Sequence, residues 1–188
     1  MVNLDFAARI GKTMSLEAPK YSLRLTEAAG RYDLRADDKA CPLILGNLIK
    51  PENMDYSIQP FVFKEFPNLA SGAIFNFEKN GARTRVVHVL SDSIITDIPV
   101  SGSGTFIAVD PEGNGFIRKV IAERRASSEK VRYTKGWKLV WLSDPDSADP
   151  FKFVQICTPP FKKNETERIL EGEEIPEFIQ QQLQELEI

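Results

Sequence analysis

Histidine is almost missing from this 188-residue chain, which has one, His88. A catalytic transition-metal site typically draws on about three protein ligands, with imidazole prominent among them. A histidine-built centre is therefore excluded, and any metal would have to rely on groups such as Glu78, Glu123 and Cys157. Cysteine is scarce too. Cys41 and Cys157 are the only two, too far apart in sequence to form a disulfide framework, and no Cys-x-x-Cys pair points to zinc. The reading is of small buried thiols in a reducing compartment. No apolar run approaches the roughly 20 residues that cross a bilayer. Met1-Val2-Asn3-Leu4-Asp5 is not a basic stretch leading into an apolar one, so no secretory leader is expected. A soluble, cytoplasmic protein without a membrane partner follows as the expectation. A basic excess is absent as well: the formal net charge is -3, which argues against nucleic acid as a partner.

Several chemical signatures are also missing. Ser101-Gly102-Ser103-Gly104 has glycines but not the Lys-Ser/Thr ending of a phosphate loop. No Gly-x-Ser-x-Gly elbow occurs, and the strand-rich rhythm excludes a dinucleotide-binding βαβ unit.

What is present is material for a core. Hydrophobic residues make up 42% of the chain, and 12 of them are Phe. Short alternating or apolar segments recur, each bounded by Pro, Gly, Asn or Asp: Tyr21–Leu25, Arg31–Leu34, Pro42–Ile49, Ser57–Lys64, Ala73–Glu78, Thr84–Leu90 and Ile94–Ile98. Thr105–Val109, Phe116–Glu123, Lys130–Thr134, Trp137–Leu142 and Phe151–Cys157 continue the series, with Asp110–Gly115 as a hairpin loop. About ten strands at this spacing predict an all-β barrel or sandwich. Leu4, Phe6, Ala7, Ile10 and Met14 carry a loosely helical spacing that Pro19 ends. Ile175, Phe178, Ile179, Leu183 and Leu186 form a second helical stripe, with Pro176 near its start. Cationic residues crowd between Arg118 and Lys138, and the chain turns acidic from Glu165.

Alternation along strands indicates which polar groups share a face. Phe151, Phe153, Gln155 and Cys157 oppose Lys152, Val154 and Ile156. Ala73, Phe75 and Phe77 oppose Ile74, Asn76 and Glu78, and Thr84, Val86, His88 and Leu90 oppose Arg85, Val87 and Val89. A site with apolar walls and a few polar groups can be drawn from Asn76, Glu78, His88, Tyr133, Trp141 and Gln155. His88 and Glu78 are its acid-base candidates. Arg83 and Arg85 offer planar forks to a carboxylate or phosphate. Each residue also has a plain structural role open to it: His88 as a hydrogen-bonded strand residue, Glu78 at a turn in water, the aromatics as core.

Three stretches resemble a cupin, the double-stranded β-helix family. Lys130–Trp141 is similar to the second cupin motif, a strand entering a Pro-x-Gly turn ahead of a metal-binding histidine. Here Thr134-Lys135-Gly136 stands at the turn without the proline, and Lys138 or a neighbour stands at the histidine. Phe153–Phe161 resembles the closing strand with its Pro159-Pro160-Phe161 exit. Gly81–Gly104 corresponds to the first motif, where His88 is the only matching residue type. The resemblance spans roughly residues 70–161.

It implies a mainly β, cupin-like barrel of jelly-roll type with a short N-terminal helix and a C-terminal helix. The expected layout is one domain over 1–188: an N-terminal helix or arm at 1–20, the barrel at 21–161, and a tail with its helix at 162–188. Because the metal-binding histidines are missing, the expected function is metal-free binding of a small anionic or aromatic molecule, with no cofactor. Asn76, Arg85, Tyr133, Trp141 and Gln155 are its ligand-binding candidates. Two alternatives stay open: an acid-base isomerase, lyase or cyclase using His88 and Glu78, and a protein-assembly module. A homodimer is what the resemblance implies.

Overall fold

The computed structural model describes residues 24–28, 31–36, 39–65, 67–122, 130–161 and 167–186. The helix expected near the N-terminus lies outside the described residues, as does Glu123. Strands dominate the rest. In chain order they are β1 (Arg24–Ala28), β2 (Arg31–Ala36), β3 (Lys39–Leu45), β4 (Tyr56–Phe63), β5 (Ser71–Phe77), β6 (Val87–Val89), β7 (Ile94–Ser101), β8 (Ser103–Val109), β9 (Gly115–Ile121), β10 (Val131–Tyr133), β11 (Lys138–Ser143), β12 (Lys152–Thr158) and β13 (Glu167–Ile169). One helix, α1 (Glu177–Glu185), follows them.

The strands form two antiparallel sheets. The larger runs β1-β2-β3-β4-β5-β12-β7-β10 and the smaller β13-β6-β11-β8-β9. No strand ladder joins one sheet to the other among the described residues, so the barrel is closed by packing rather than by hydrogen bonds. The pairing of β5 with β12, and of β12 with β7, brings distant segments together, as a jelly roll requires.

Period-two alternation sorts the apolar residues into three layers. The central layer lies between the sheets. Tyr56, Phe77, Ile95, Tyr133, Phe153 and Cys157 come to it from the large sheet, and Val89, Phe106, Val120, Leu139 and Trp141 from the small one. Its rings are in direct contact: Phe75 stacks on Phe153 at 4.6 Å, and Trp141 lies 4.9 Å from the same ring. A second layer, with Phe61, Ile74, Ile98, Val154 and Ile156, occupies the opposite face of the large sheet. The third covers the outside of the small sheet, where Ile179 and Leu183 of α1 pack on Ile107, Val140 and Leu142. The helical stripe read from the sequence thus closes the fold on its own domain.

Turn chemistry sets the register. The β7–β8 reversal passes through Gly102 at φ 66°, a left-handed conformation that glycine adopts without steric cost. The β8–β9 loop is the expected hairpin. In it Asp110 accepts from the backbone N–H and the side-chain amide of Asn114, each at 2.8 Å, and Gly113 takes φ 92°. The run Thr84–Leu90 is strand only over β6, and β13, a three-residue strand inside the acidic stretch, was not foreseen.

Candidate functional site

The site grows from one residue that the sequence reading passed over. On β7, Ile95 points into the layer between the sheets and Ile98 into the opposite one, so alternation turns Asp97 inward with Ile95. The side chain of Asp97 is wholly buried. Its Oδ2 accepts from the Tyr133 hydroxyl at 2.9 Å and from the Trp141 indole N–H at 2.7 Å. Gln155 donates its amide N–H to the Tyr133 oxygen at 2.9 Å, and the Cys157 thiol lies 3.9 Å from the Gln155 carbonyl oxygen. The donors therefore run in one direction and converge on Oδ2. The other oxygen, Oδ1, has no hydrogen-bond partner among the described residues.

Electrostatics follow from that burial. Desolvation drives Asp97 up to about 7, against the opposing pull of the hydrogen bonds from Tyr133 and Trp141 and of the nearby Gln155 amide, which geometrically donates to Tyr133 rather than to the carboxyl. With Oδ2 occupied by two donors, the proton of the neutral acid belongs on Oδ1. Burial also raises the Tyr133 hydroxyl and the Cys157 thiol well above their ordinary values, so both stay protonated and the thiol is not a nucleophile at neutral pH.

A second carboxyl faces the same interior. In the β13–β6 ladder Glu167 stands opposite Val89, and Arg168 opposite His88. Val89 belongs to the central layer, so Glu167 is directed inward and Arg168 outward. Glu167 is solvent-exposed, unlike Asp97, yet enough protein surrounds it for burial to raise its carboxyl to about 7. Contact with water moderates that rise, so Asp97 is the acid held protonated more firmly. The charge of Glu167 acts on Tyr56, Asp97, Tyr133 and Cys157, which places it over the same network. The inward-facing side chains nearby, Ile58, Phe75 and Val87, are only half-buried, whereas Phe77, Phe151 and Phe153 are inaccessible.

The residues expected to form a site divide cleanly. Tyr133, Trp141 and Gln155 meet on Asp97. Asn76 lies on the opposite face of β5 from Phe75 and Phe77, and Glu78, just past the end of β5 and exposed, pairs with Lys50 at 2.6 Å. His88 faces outward between its ladder neighbours Lys138 and Arg168. Loss of hydration and then those two cations lower its pKa. Arg85 is half-buried near Tyr56, whose hydroxyl it influences through both its backbone N–H and its charge, and its guanidinium donates to the Glu52 carbonyl at 3.3 Å.

The interior donor set does not suit the transition metal that a cupin fold brings to mind. Asp97 Oδ2 is taken by two N–H and O–H donors, His88 is on the outer face, and no three His, Cys, Asp or Glu side chains converge among the described residues.

No family model matches the chain, and no curated protein matches its sequence. Solved structures do match. Oxalate decarboxylase of Lactobacillus farciminis, solved as a formate complex, aligns at a TM-score of 0.50 with 16% identity, over 64% of this chain and 32% of that one. Oxalate decarboxylase of Bacillus subtilis aligns at 0.49 with 12% identity, over 68% of this chain and 32% of that one. The chain spans about a third of the length of either enzyme. The Lactobacillus farciminis enzyme is a cupin-fold protein, and the fold of this chain is of the cupin type. The likeness is one of fold; the activity belongs to the enzymes that carry it.

Proposed function

We propose that the protein binds a small organic molecule between its two sheets, on the side of β13, using its own polar groups rather than a metal. The observation that carries this reading is the free Oδ1 of Asp97. A buried oxygen without a partner costs roughly 1–3 kcal/mol, a cost that a ligand polar group would offset. The half-buried Phe75, Ile58 and Val87 offer apolar walls for an aromatic or aliphatic body. Anionic ligands have less support, because two carboxyls already face this space. No membrane role is part of the proposal: among the described residues no helix is long and apolar enough to cross a bilayer.

The test is chemical-shift mapping with indole and 2-phenylethanol. Saturable shifts at Phe75, Val87, Gln155 and Glu167, with β1 to β3 and α1 undisturbed, are expected. Shifts confined to the outer faces, or no saturable shift with either probe, would refute an interior site.

A second reading rests on a specific observation. Burial pushes Asp97 up to about 7 and moves Glu167, on the same interior, in the same direction, toward the range where a carboxyl both gives and takes a proton efficiently. An isomerase, lyase or cyclase would use these two acids in place of His88 and Glu78, whose side chains point away from the interior.

A further inference from the structure

We infer that the ligand of this interior is a cation, a protonated amine on an aromatic or apolar body, whose N–H groups are taken by Glu167 and by Asp97 Oδ1. The inference rests on the interior binding site proposed above and adds the charge of what enters it. Three observations carry it.

The register of β13 on β6 turns Glu167 inward, over the Asp97 network. Asp97 keeps one wholly buried oxygen with no hydrogen-bond partner among the described residues, although its other oxygen has two donors. Among the described residues no ion pair includes either acid. No lysine or arginine is among the groups acting on either carboxyl. Arg85 acts on Tyr56 instead.

Uncompensated carboxyls in a partly dry space are unfavourable as anions and have two remedies, a proton or a cation. An ammonium group provides the second, with N–H donors that suit acceptor oxygens. The surrounding rings of Phe75 and Trp141 add attraction for positive charge, since aromatic faces are electron-rich. A carboxylate ligand would face the reverse situation and would enter only with both acids protonated. The outer row of Lys138, His88 and Arg168 is another charged cluster. It belongs to a different face, and Arg168 is already paired with Glu174 at 2.8 Å.

The experiment compares three probes of one shape, phenethylamine, 2-phenylethanol and phenylacetate, by isothermal titration at neutral pH. Phenethylamine is expected to bind at least about tenfold more tightly than either of the others, the scale of one charge-assisted contact. In Glu167→Gln that preference should shrink toward unity while 2-phenylethanol binds as before. This variant changes a solvent-exposed side chain, so folding is not at risk, and Lys138→Gln on the outer face should leave all three affinities unchanged. If 2-phenylethanol or phenylacetate matches phenethylamine, the interior site stands and the cation is overturned. A preference for the amine that survives Glu167→Gln also overturns the assignment, because the charge is then read elsewhere. Binding by none of the three counts against both the cation and the site.

Discussion

Asp97 is stable in the folded chain chiefly as a neutral acid, and this sets how stability responds to pH. Its carboxyl rises from 3.8 to about 7 on folding, so the folded state binds the proton more tightly. The associated stability is fully present below the unfolded value and is lost as pH rises through the folded one. Glu167 acts with the same sign. His88, lowered from 6.5, acts with the opposite sign, but it is solvated and its share is small. Asp110 and Asp144 are both lowered from 3.8 and titrate below this window. The urea midpoint should therefore fall between about pH 4 and about pH 7, and Asp97→Asn should flatten that slope. Tyr133→Phe removes a donor to Oδ2 and the acceptor of Gln155. It should cost about 1–3 kcal/mol in chemical denaturation and raise Asp97 further, as carbon-detected carboxyl titration would reveal. Of the four residues in this network, three were legible in the sequence: alternation put Gln155 on a face with Phe153 and Cys157, and Tyr133 and Trp141 stood in strands. Asp97 lies inside the strand read over Ile94–Ile98, but the two faces of that strand are not sorted in the sequence reading. The available signal was Ile95 and Asp97 sharing one face of a strand that continues through Ile98.

At the level of elements, close packing accounts for what periodicity predicts. The stripe Ile175, Phe178, Ile179 and Leu183 places α1 on the small sheet because one side of a helix repeats every three or four residues. Ile179 is wholly buried there. Ile179→Ala should cost about 2–5 kcal/mol, read from urea unfolding, by leaving a cavity against the small sheet. Gly104 on β8 is a different case, required by proximity rather than by backbone angle. A methyl at this position would stand 2.5 Å from the Phe151 ring and 2.6 Å from the Leu142 carbonyl. Gly104→Ala should therefore destabilise the fold by about 1–3 kcal/mol through overpacking, with a matching fall in thermal midpoint. Sequence alone showed a glycine-rich turn here; the neighbours that exclude a side chain come from strands about 40 residues away, beyond any local pattern. The strand β13 was hidden for a related reason. Three residues of mixed charge have no period to detect, and their pairing with β6 is a tertiary fact.

As a whole molecule, the chain keeps the double-sheet frame of a cupin while its interior chemistry is carboxyl, hydroxyl, amide and indole. Strand number and turn spacing were enough to indicate the architecture. The layer between the sheets was partly visible in the alternating Phe residues. Inward and outward sides of the short strands were not, since alternation pairs residues without saying which pair faces in. His88 illustrates this: its strand mates Val87 and Val89 could be placed opposite it, but only the packing of Val89 in the central layer fixes His88 outside.

The central claim is that the interior works through its own acids and not through a bound transition metal. The most direct measurement is elemental analysis of the protein purified without added metal or chelator. Transition metal far below one equivalent per chain is the predicted result. One equivalent per chain, retained through dialysis, would contradict it and would place the ligands among side chains other than the Asp97 network.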